Sequence, residues 1–300
     1  MPQRVLAFTG QGMTAGVVFL LFTMGLRLGV DQTILSQLGQ YGLHALLYSS
    51  LSVLMSLVGV YMLEKIINKR SSSEKQYLLE ADPSQSTEEQ FNGSQSAHPY
   101  RMTVLILGAV LVGMFTGYAF FPGSAQNMIP LATSAALDFT LFVVGMDLGQ
   151  NRTVWNQMFR MGWRVFLAPF GIMIGSILAG SLVGVLLGYS WREGAAVCAG
   201  FGWYSLSGVL ISNLHSVSLG TTAFLSNIFR EILSILLAPL LARKASPLLL
   251  VAPGGATTMD STLPLLVSVG PKGMGVIAFV SGFTLTSLVP FLVPLLLGKL

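Results

Sequence analysis

Charged residues are scarce in this sequence. Asp, Glu, Lys and Arg make up 9% of its 300 residues, whereas a soluble domain carries about 25%. Because the surface of a soluble domain must stay wetted by water, this shortage excludes an ordinary soluble fold. The net charge of +4 is also small, so the sequence does not predict a basic surface that binds nucleic acid.

Cysteine is nearly absent as well. Cys198 stands alone, so an internal disulfide is excluded. The three histidines, His44, His98 and His215, are scattered, and one cysteine cannot complete a site, so the sequence predicts neither a metal nor another cofactor. A phosphate loop and any recognisable nucleophilic constellation are also missing, and we therefore do not expect an ATPase or another enzyme.

Hydrophobic residues, in contrast, make up 53% of the chain and give a mean hydropathy of +0.71. A helix that spans a bilayer needs about 20 mostly apolar residues. Nine runs approach that length: 5–28, 43–63, 102–121, 129–148, 163–187, 194–212, 219–241, 247–269 and 274–297. The first run is too long for the core of a signal peptide, and we expect it to be a retained span. The sequence therefore predicts an all-α, polytopic membrane protein.

One long polar stretch separates two groups of runs. Residues 68–101 are rich in Ser, Gln and Glu and lack apolar periodicity, which is typical of a disordered loop. Basic residues flank this stretch on both sides, so the positive-inside rule places it in the cytoplasm. We therefore expect an N-terminal transmembrane helix pair over 1–67, a disordered cytoplasmic loop over 68–101, and a transport-site region over 102–300.

Two of the runs are poor helices. Residues 199–208 carry three glycines and two serines at mid-run, and residues 253–264 contain two prolines that bracket an aspartate. Irregular backbone at membrane depth survives only where protein or a water-filled cavity satisfies its polar groups. A glycine-rich packing face would explain one such break. Two similar breaks indicate broken or re-entrant segments at a binding site near the membrane midplane.

The two broken segments belong to a sequence repeat. An offset of 55 residues aligns Gly200 with Gly255 and Pro239 with Pro294, so each unit is one broken segment followed by one full helix. A weaker repeat has an offset of 120 residues. If Arg243 faces the cytoplasm, the first broken segment must re-enter from the outside, which makes the two 55-residue units inverted relative to each other.

Carboxylates inside the runs are the first candidates for the site. Glu231 lies near the centre of run 219–241, where an ionised carboxylate is costly unless it lines a cavity or is paired. Pairing with Arg230 is geometrically poor, because adjacent residues of a helix point in different directions. Asp260 lies in the second broken segment, where capping of the following helix is the alternative role. Asp138 could equally bond to local backbone.

Two carboxylates within a membrane suit a cationic solute or protons, and neighbouring side chains could complete the site. Trp203 and Tyr204 could offer aromatic faces to an ammonium group, although such side chains more often simply pack. Hydroxyl groups in the broken segments could bind a substrate or satisfy the opened backbone. The substrate- and proton-binding candidates are therefore Glu231, Asp260, Trp203, Tyr204, Ser205, Ser207, Thr257 and Thr258, followed by Asp138 and Asn227.

Three stretches of the chain resemble one known family. Residues 200–208 (Gly-Phe-Gly-Trp-Tyr-Ser-Leu-Ser-Gly), 229–232 (Phe-Arg-Glu-Ile) and 255–264 (Gly-Ala-Thr-Thr-Met-Asp-Ser-Thr-Leu-Pro) closely resemble the lysine exporter LysO family of bacterial inner-membrane proteins. The resemblance is specific from residue 102 onward and looser before it, where family members begin with one more helix. It implies export of L-lysine and of its toxic analogue thialysine, driven by an ion gradient. It also implies that Glu231 and Asp260 are important for transport.

The energetics of lysine export favour a counter-ion. Lysine carries a net positive charge, so moving it outward against an inside-negative potential costs about 2.3 kcal/mol per 100 mV. Exchange of one lysine for one proton is electroneutral, and we therefore expect lysine/proton antiport, with lysine, protons and the lipid bilayer as partners. A monovalent cation/proton antiporter also needs buried carboxylates and is the nearest alternative. A channel or a membrane scaffold is the alternative from another class.

Overall fold

A computed structural model describes residues 38–68, 99–120, 163–271 and 273–299, together with scattered helical residues between 15 and 36 and between 129 and 142. The described residues form helices and turns and contain no strand. The all-α prediction is therefore confirmed. Most of the predicted loop over 68–101 lies outside the described residues, and the division into three regions stays a prediction.

The helices follow one another with short connections over the second half of the chain. In chain order they are α1 (Leu38–Asn68), α2 (Pro99–Phe120), α3 (Leu167–Leu186), α4 (Trp191–Cys198), α5 (Tyr204–Leu214), α6 (Val217–Leu241), α7 (Pro247–Leu250), α8 (Leu263–Val269) and α9 (Met274–Leu296). Short 3-10 turns occupy Trp163–Phe166 and Gly255–Met259. Among the described residues, α1, α3, α6 and α9 are long and apolar enough to cross a membrane. This confirms a polytopic helical membrane protein.

Helix α1 exposes many of its large apolar residues and buries several small polar ones. Leu43 and Leu54 are 61% and 55% exposed, whereas Ser52 and Ser56 are 2% and 0% exposed. In water such an arrangement would be unfavourable, but in a bilayer the apolar face meets lipid. The buried serines are then free to hydrogen-bond to neighbouring helices.

Glycines let α3 approach its neighbours at backbone distance. A Cβ added to Gly59 of α1 would collide with the carbonyl of Gly171 on α3, and a Cβ at Gly175 would collide with the carbonyl of Met55. Further along α3, a Cβ at Gly180 would meet the carbonyl of Gly194 on α4. Small residues at such crossings are typical of helix packing in membranes, where close contact replaces the hydrophobic effect.

Contacts along α1 define two faces of the molecule, which we call face A at the start of α1 and face B at its end. At face A, the Tyr41 hydroxyl donates to Ser218 Oγ at the start of α6 (3.3 Å). At face B, Ser246 Oγ donates to Glu64 Oε2 (2.7 Å). Tyr41 and Glu64 are 23 positions apart in the helix, which corresponds to about 35 Å at 1.5 Å per residue. The two faces are therefore about one bilayer apart.

Helices α4 and α5 form a first hairpin that enters and leaves at face A. Helix α4 begins with a capping box in which Ser190 N donates to Glu193 Oε2 (2.6 Å) and Glu193 N donates to Ser190 Oγ (3.2 Å). Helix α5 ends at His215, whose Nε2 lies 2.6 Å from Glu193 Oε1. Burial opposes ionisation of Glu193, but hydrogen bonds from Ser190 and His215 outweigh it, and the pKa of Glu193 lies below its ordinary value. Since its two ends touch, the first hairpin is re-entrant.

The segment from α7 to α8 forms a second hairpin that enters and leaves at face B. It starts at Ser246, which caps α7 and also bonds to Glu64 at face B. It ends just before α9, whose far end lies at face A, because a Cβ at Gly298 would be 3.7 Å from Nη1 of Arg192. The two hairpins therefore enter from opposite faces. Opposite entry is what inverted units require, while the sequence repeat itself stays a prediction.

Cysteine labelling from the two sides of the membrane tests this topology. In a Cys198→Ser background, we expect Arg192→Cys and His215→Cys to react with an impermeant reagent from the same side, because both residues lie at face A. Lys244→Cys should react only from the opposite side. A chain in which α4 and α5 together crossed the membrane would instead place positions 192 and 215 on opposite sides, and that result would show the re-entrant topology to be wrong.

Candidate functional site

The two hairpins touch at their tips. We call residues 199–203 the first break and residues 251–262 the second break. The backbone N–H of Ala256 donates to the carbonyl of Phe201 (2.8 Å), which joins the two breaks directly. Phe201 and Gly202 adopt φ angles of 50° and 103°, and Gly255 adopts 61°. A Cβ at Gly255 would collide with the Phe201 carbonyl, so glycine is required there both for the backbone angle and for the close approach.

Asn227 of α6 holds the first break. Its side chain is 2% exposed, and its Oδ1 accepts a hydrogen bond from the N–H of Gly202 (2.6 Å). Its Nδ2 donates to Ser207 Oγ on α5 (3.1 Å) and to the carbonyl of Ala223 (2.8 Å). Asn227 therefore stabilises the irregular backbone of the first break by hydrogen bonds. Its contact with a solute stays a prediction.

Arg230, one turn further along α6, holds the second break. It is 2% exposed, and its Nε and Nη2 donate to the carbonyls of Pro253 and Ala252, each at 3.0 Å. The other donors reach hydroxyl groups on α1 and α3, namely Ser52 (2.5 Å), Ser176 (2.8 Å) and Ser56 (3.0 Å). All five N–H groups of the guanidinium therefore have an acceptor.

Glu231 does not pair with Arg230. Within the described residues, no ion pair joins this arginine to Glu231 or to Asp260. The two neighbouring side chains point in different directions from the helix, as expected for adjacent residues. Arg230 faces the serines of α1 and α3, and Glu231 faces the second break. The sequence-based argument against a local pair is confirmed.

The two candidate carboxylates come together beside the second break. Glu231 is 5% exposed; the Ser261 side chain lies next to it, and the charge of Asp260 acts on it. Asp260 is exposed on the protein surface, and one of its carboxylate oxygens accepts a hydrogen bond from the N–H of Ser261. The Tyr204 hydroxyl at the start of α5 lies within electrostatic range of both carboxylates. Three elements therefore contribute one residue each to a group of electrostatically coupled side chains, Glu231, Asp260 and Tyr204, which we call the acidic cluster.

Comparison with known proteins places the chain in a family. The family model "Lysine exporter LysO" matches residues 107–297. The chain belongs to the lysine exporter LysO family. Over 191 residues it is 32% identical to "Lysine exporter LysO" of Escherichia coli (strain K12), covering 63% of this chain and 62% of that relative. Over 197 residues it is 31% identical to "Putative lysine exporter" of Haemophilus influenzae, covering 64% of this chain and 93% of that relative.

The chain thus spans less than two thirds of the length of the E. coli relative. No solved structure matches this LysO family member. The part that matches the family contains both breaks, the acidic cluster and Arg230. The family match therefore covers the cluster and both breaks, whereas Ser52 and Ser56, which bind Arg230, lie before it.

Three hydroxyl groups that the sequence predicts for the site donate hydrogen bonds to backbone carbonyls in this LysO family member. The sequence is compatible with two roles for Ser207, Thr257 and Thr258, which are to bind a substrate or to satisfy the opened backbone. Each of the three donates to a carbonyl in or beside a break, and the acceptors are Trp203 O (2.8 Å), Gly254 O (3.0 Å), Gly255 O (2.8 Å) and Ala278 O (2.8 Å). These hydroxyls are thus hydrogen-bonded to carbonyls in the breaks or in the helix packed against them. A role in substrate binding stays a prediction for all three.

The remaining candidates have different surroundings. Trp203 packs against the hydrophobic core at the start of α5, and the ring of Tyr204 makes an edge contact with Phe224 (5.9 Å between centroids). Ser205 is 5% exposed. Asp138 is helical and exposed, and no contact among the described residues joins it to the acidic cluster. Both aromatic residues pack against neighbouring side chains, and a role in substrate binding stays a prediction for all four residues.

Sequence reasoning missed two residues at the second break. Arg230 was considered only as a partner for Glu231, although a buried arginine facing Ser52 and Ser56 on another helix is the larger feature. Ser234 was not considered at all. Its hydroxyl is buried, has no hydrogen-bond partner among the described residues, and would lie 3.1 Å from a Cβ at Gly254. The signal available in the sequence was the i, i+4 spacing of the two α1 serines.

Substitution of Gly255 tests the contact between the hairpin tips. Gly255→Ala must adopt a positive φ and also pushes a methyl group into the Phe201 carbonyl, so we expect a marked loss of thermal stability in detergent. Gly273→Ala is the matched control, because Gly273 has a φ of 82° with nothing within 4 Å of an added Cβ. The control should lose only about 1–2 kcal/mol, the cost of a left-handed alanine. Equal losses at the two positions would show that the tips do not touch.

Proposed function

We propose that this LysO family member exports L-lysine, and its analogue thialysine, across the bacterial inner membrane in exchange for protons. The observation that carries the proposal is the meeting of Glu231, Asp260 and Tyr204 beside touching hairpin tips. Arg230, which holds the second tip, binds Ser52 and Ser56 at the middle of α1. The acidic cluster therefore belongs half-way between face A and face B, where transporters built from broken helices bind their substrates.

The chemistry of the cluster suits a cationic solute that competes with protons. A carboxylate in a poorly solvated site is favourable only when it carries a proton or meets a cation. One carboxylate oxygen cannot hold both at once, so the arrival of a lysine ammonium group releases a proton. Return of a proton in turn releases lysine. Competition of this kind couples the lysine flux to the proton flux and needs no ATP. The sequence contains no phosphate loop that would bind ATP.

The sidedness of the two hairpins follows from the basic residues at one face. Lys65, Arg243 and Lys244 lie at face B, and the positive-inside rule assigns this face to the cytoplasm. The first hairpin then enters from the outside and the second from the cytoplasm. Movement of either hairpin would open the cluster to one side only, which is the requirement for alternating access.

Counterflow of labelled lysine into proteoliposomes tests the substrate and the site together. We expect saturable lysine exchange, and we expect Glu231→Gln and Asp260→Asn each to lower it by about tenfold or more, because each removes one negative charge of the cluster that would bind the lysine ammonium group. Glu64→Gln is the matched control. It makes the same chemical change at face B and keeps an acceptor for Ser246, so its exchange should equal that of the wild type.

Each alternative has its own result in this assay. Exchange of sodium or potassium for protons without lysine would replace the lysine exporter by a monovalent cation antiporter. Non-saturating flux that follows the electrical gradient would indicate a channel. Full activity in both carboxylate variants would show that the acidic cluster is not the transport site.

An imposed pH gradient tests the coupling ion. With lysine on one side and an opposing proton gradient, we expect lysine to accumulate against its own gradient. One-for-one exchange moves no net charge, so a membrane potential imposed with potassium and valinomycin should leave the initial rate unchanged. Uncoupled lysine movement carries one charge, and its driving force would change by about 2.3 kcal/mol per 100 mV. Lysine flux that ignores the pH gradient would contradict proton antiport.

A further inference from the structure

We propose that Arg230 is a positioning residue that keeps Asp260 in register with Glu231. It touches neither carboxylate. It acts through the backbone of the second break, which it ties to the same turn of α6 that carries Glu231. The structural part of this inference is independent of the solute, and its effect on lysine affinity rests on the function proposed above.

The first step is the direct link from α6 to the second break. Arg230 Nε donates to Pro253 O and Nη2 donates to Ala252 O, each at 3.0 Å. Glu231 follows Arg230 on the same helix, so the guanidinium that binds residues 252–253 is attached to the turn that carries Glu231. A shift of residues 252–253 relative to this turn strains or breaks these two hydrogen bonds.

The second step carries this position along the break to Asp260. The carbonyl of Gly254, next to Pro253, accepts hydrogen bonds from Thr257 N (3.2 Å) and Thr257 Oγ1 (3.0 Å). The carbonyl of Thr257 in turn accepts from Asp260 N (3.1 Å) and Thr262 N (3.1 Å). A continuous set of short-range hydrogen bonds thus connects the carbonyls held by Arg230 to the backbone of Asp260.

The third step is the anchor on the other side of the guanidinium. Ser52 and Ser56 of α1 and Ser176 of α3 accept its remaining hydrogen bonds. Ser56 also bonds to Ser176 Oγ (3.0 Å) and to the carbonyl of Ser52 (2.7 Å). Arg230 is therefore hydrogen-bonded to two long helices that pack backbone to backbone. Through Arg230, these helices restrain the position of the second break.

The fork of five donors is specific to arginine. A buried cation without a counter-ion is tolerated only when its N–H groups all have acceptors. Lysine offers three donors on a flexible stem and cannot bridge two carbonyls and three hydroxyls in a plane. Methionine fills a similar length without any donor. These two substitutions therefore separate the contribution of the charge from that of the fork.

Hydrogen–deuterium exchange of the full chain in lipid nanodiscs tests the positioning role without any transport assay. In Arg230→Met, we expect amides of residues 252–262 to exchange about tenfold faster than in the wild type, because these tips then open locally. Residues 199–203 should follow, since Ala256 N bonds to Phe201 O. The capping box at the start of α4, which lies at face A, is the internal control and should not change. Arg230→Lys should give an intermediate acceleration.

Lysine counterflow supplies the functional readout. When Glu231 and Asp260 lose their register, we expect the half-saturating lysine concentration to rise by about tenfold or more, since small displacements of a binding constellation are costly. The maximal rate per folded molecule should change less than the half-saturating concentration. Compared with Arg230→Met, Arg230→Lys should recover part of the lysine affinity and part of the protection from hydrogen–deuterium exchange at the tips. A parallel recovery of the two would support the positioning role.

Several results would overturn the proposal. Wild-type protection at residues 252–262 in folded Arg230→Met would show that the arginine does not hold the break. A uniform acceleration along the chain would show that it stabilises the fold as a whole. If Arg230→Met does not insert, Ser52→Ala combined with Ser176→Ala loosens the anchor and leaves Arg230 in place; unchanged protection of the tips in that variant would equally contradict the proposal.

Failure of the proposed function gives a different pattern. If the wild type exchanges no lysine, the lysine exporter proposal falls, while faster exchange at residues 252–262 in Arg230→Met still supports the positioning role. If lysine exchange is normal in the wild type and unaffected by Arg230→Met, the positioning role falls and the lysine exporter proposal stands.

Discussion

The saturation of one buried guanidinium is the constraint on which the rest of this structure depends. Arg230 has no carboxylate partner among the described residues, and it is buried in a chain whose surface meets lipid. Such a cation is stable only if every N–H group is hydrogen-bonded. Its five acceptors belong to α1, α3 and the second break. These three separate parts of the chain must therefore pack so that their acceptors all surround the same guanidinium.

Two re-entrant hairpins are stable under this constraint because their irregular backbone is hydrogen-bonded within the protein. Asn227 holds the first break and Arg230 holds the second, both from consecutive turns of α6. Hydroxyl groups such as that of Thr258 occupy the carbonyls that a regular helix would have satisfied. The result is a pair of non-helical tips inside a helical membrane protein, with an acidic cluster beside them. A transporter needs this combination, since a binding site requires exposed polar groups at depth.

Much of the fold could be predicted from the sequence, and the site in part. Hydropathy is a local property, so the apolar runs, the two broken segments and the unusual positions of Glu231 and Asp260 were visible without a structure. The re-entrant topology followed from a few basic residues and agrees with the contact between His215 and Glu193. Family membership agrees with the resemblance of the broken segments. The sequence repeats stay predictions, because their residues match weakly in a composition dominated by apolar types.

Hydrogen-bond partners were decided by tertiary structure alone. Arg230 bonds to residues 178 and 54 positions away in the chain, and no periodicity in the sequence encodes such a pairing. The same holds for the contact between Ala256 and Phe201 and for the hydrogen bond that the Thr258 hydroxyl donates to the carbonyl of Ala278. The sequence by itself determined that this chain is a membrane protein, where its helices are interrupted, and which carboxylates are costly to ionise within the bilayer. These properties are local consequences of hydropathy. Only the packed helices decided which groups meet, because burial leaves each donor a single set of acceptors within reach.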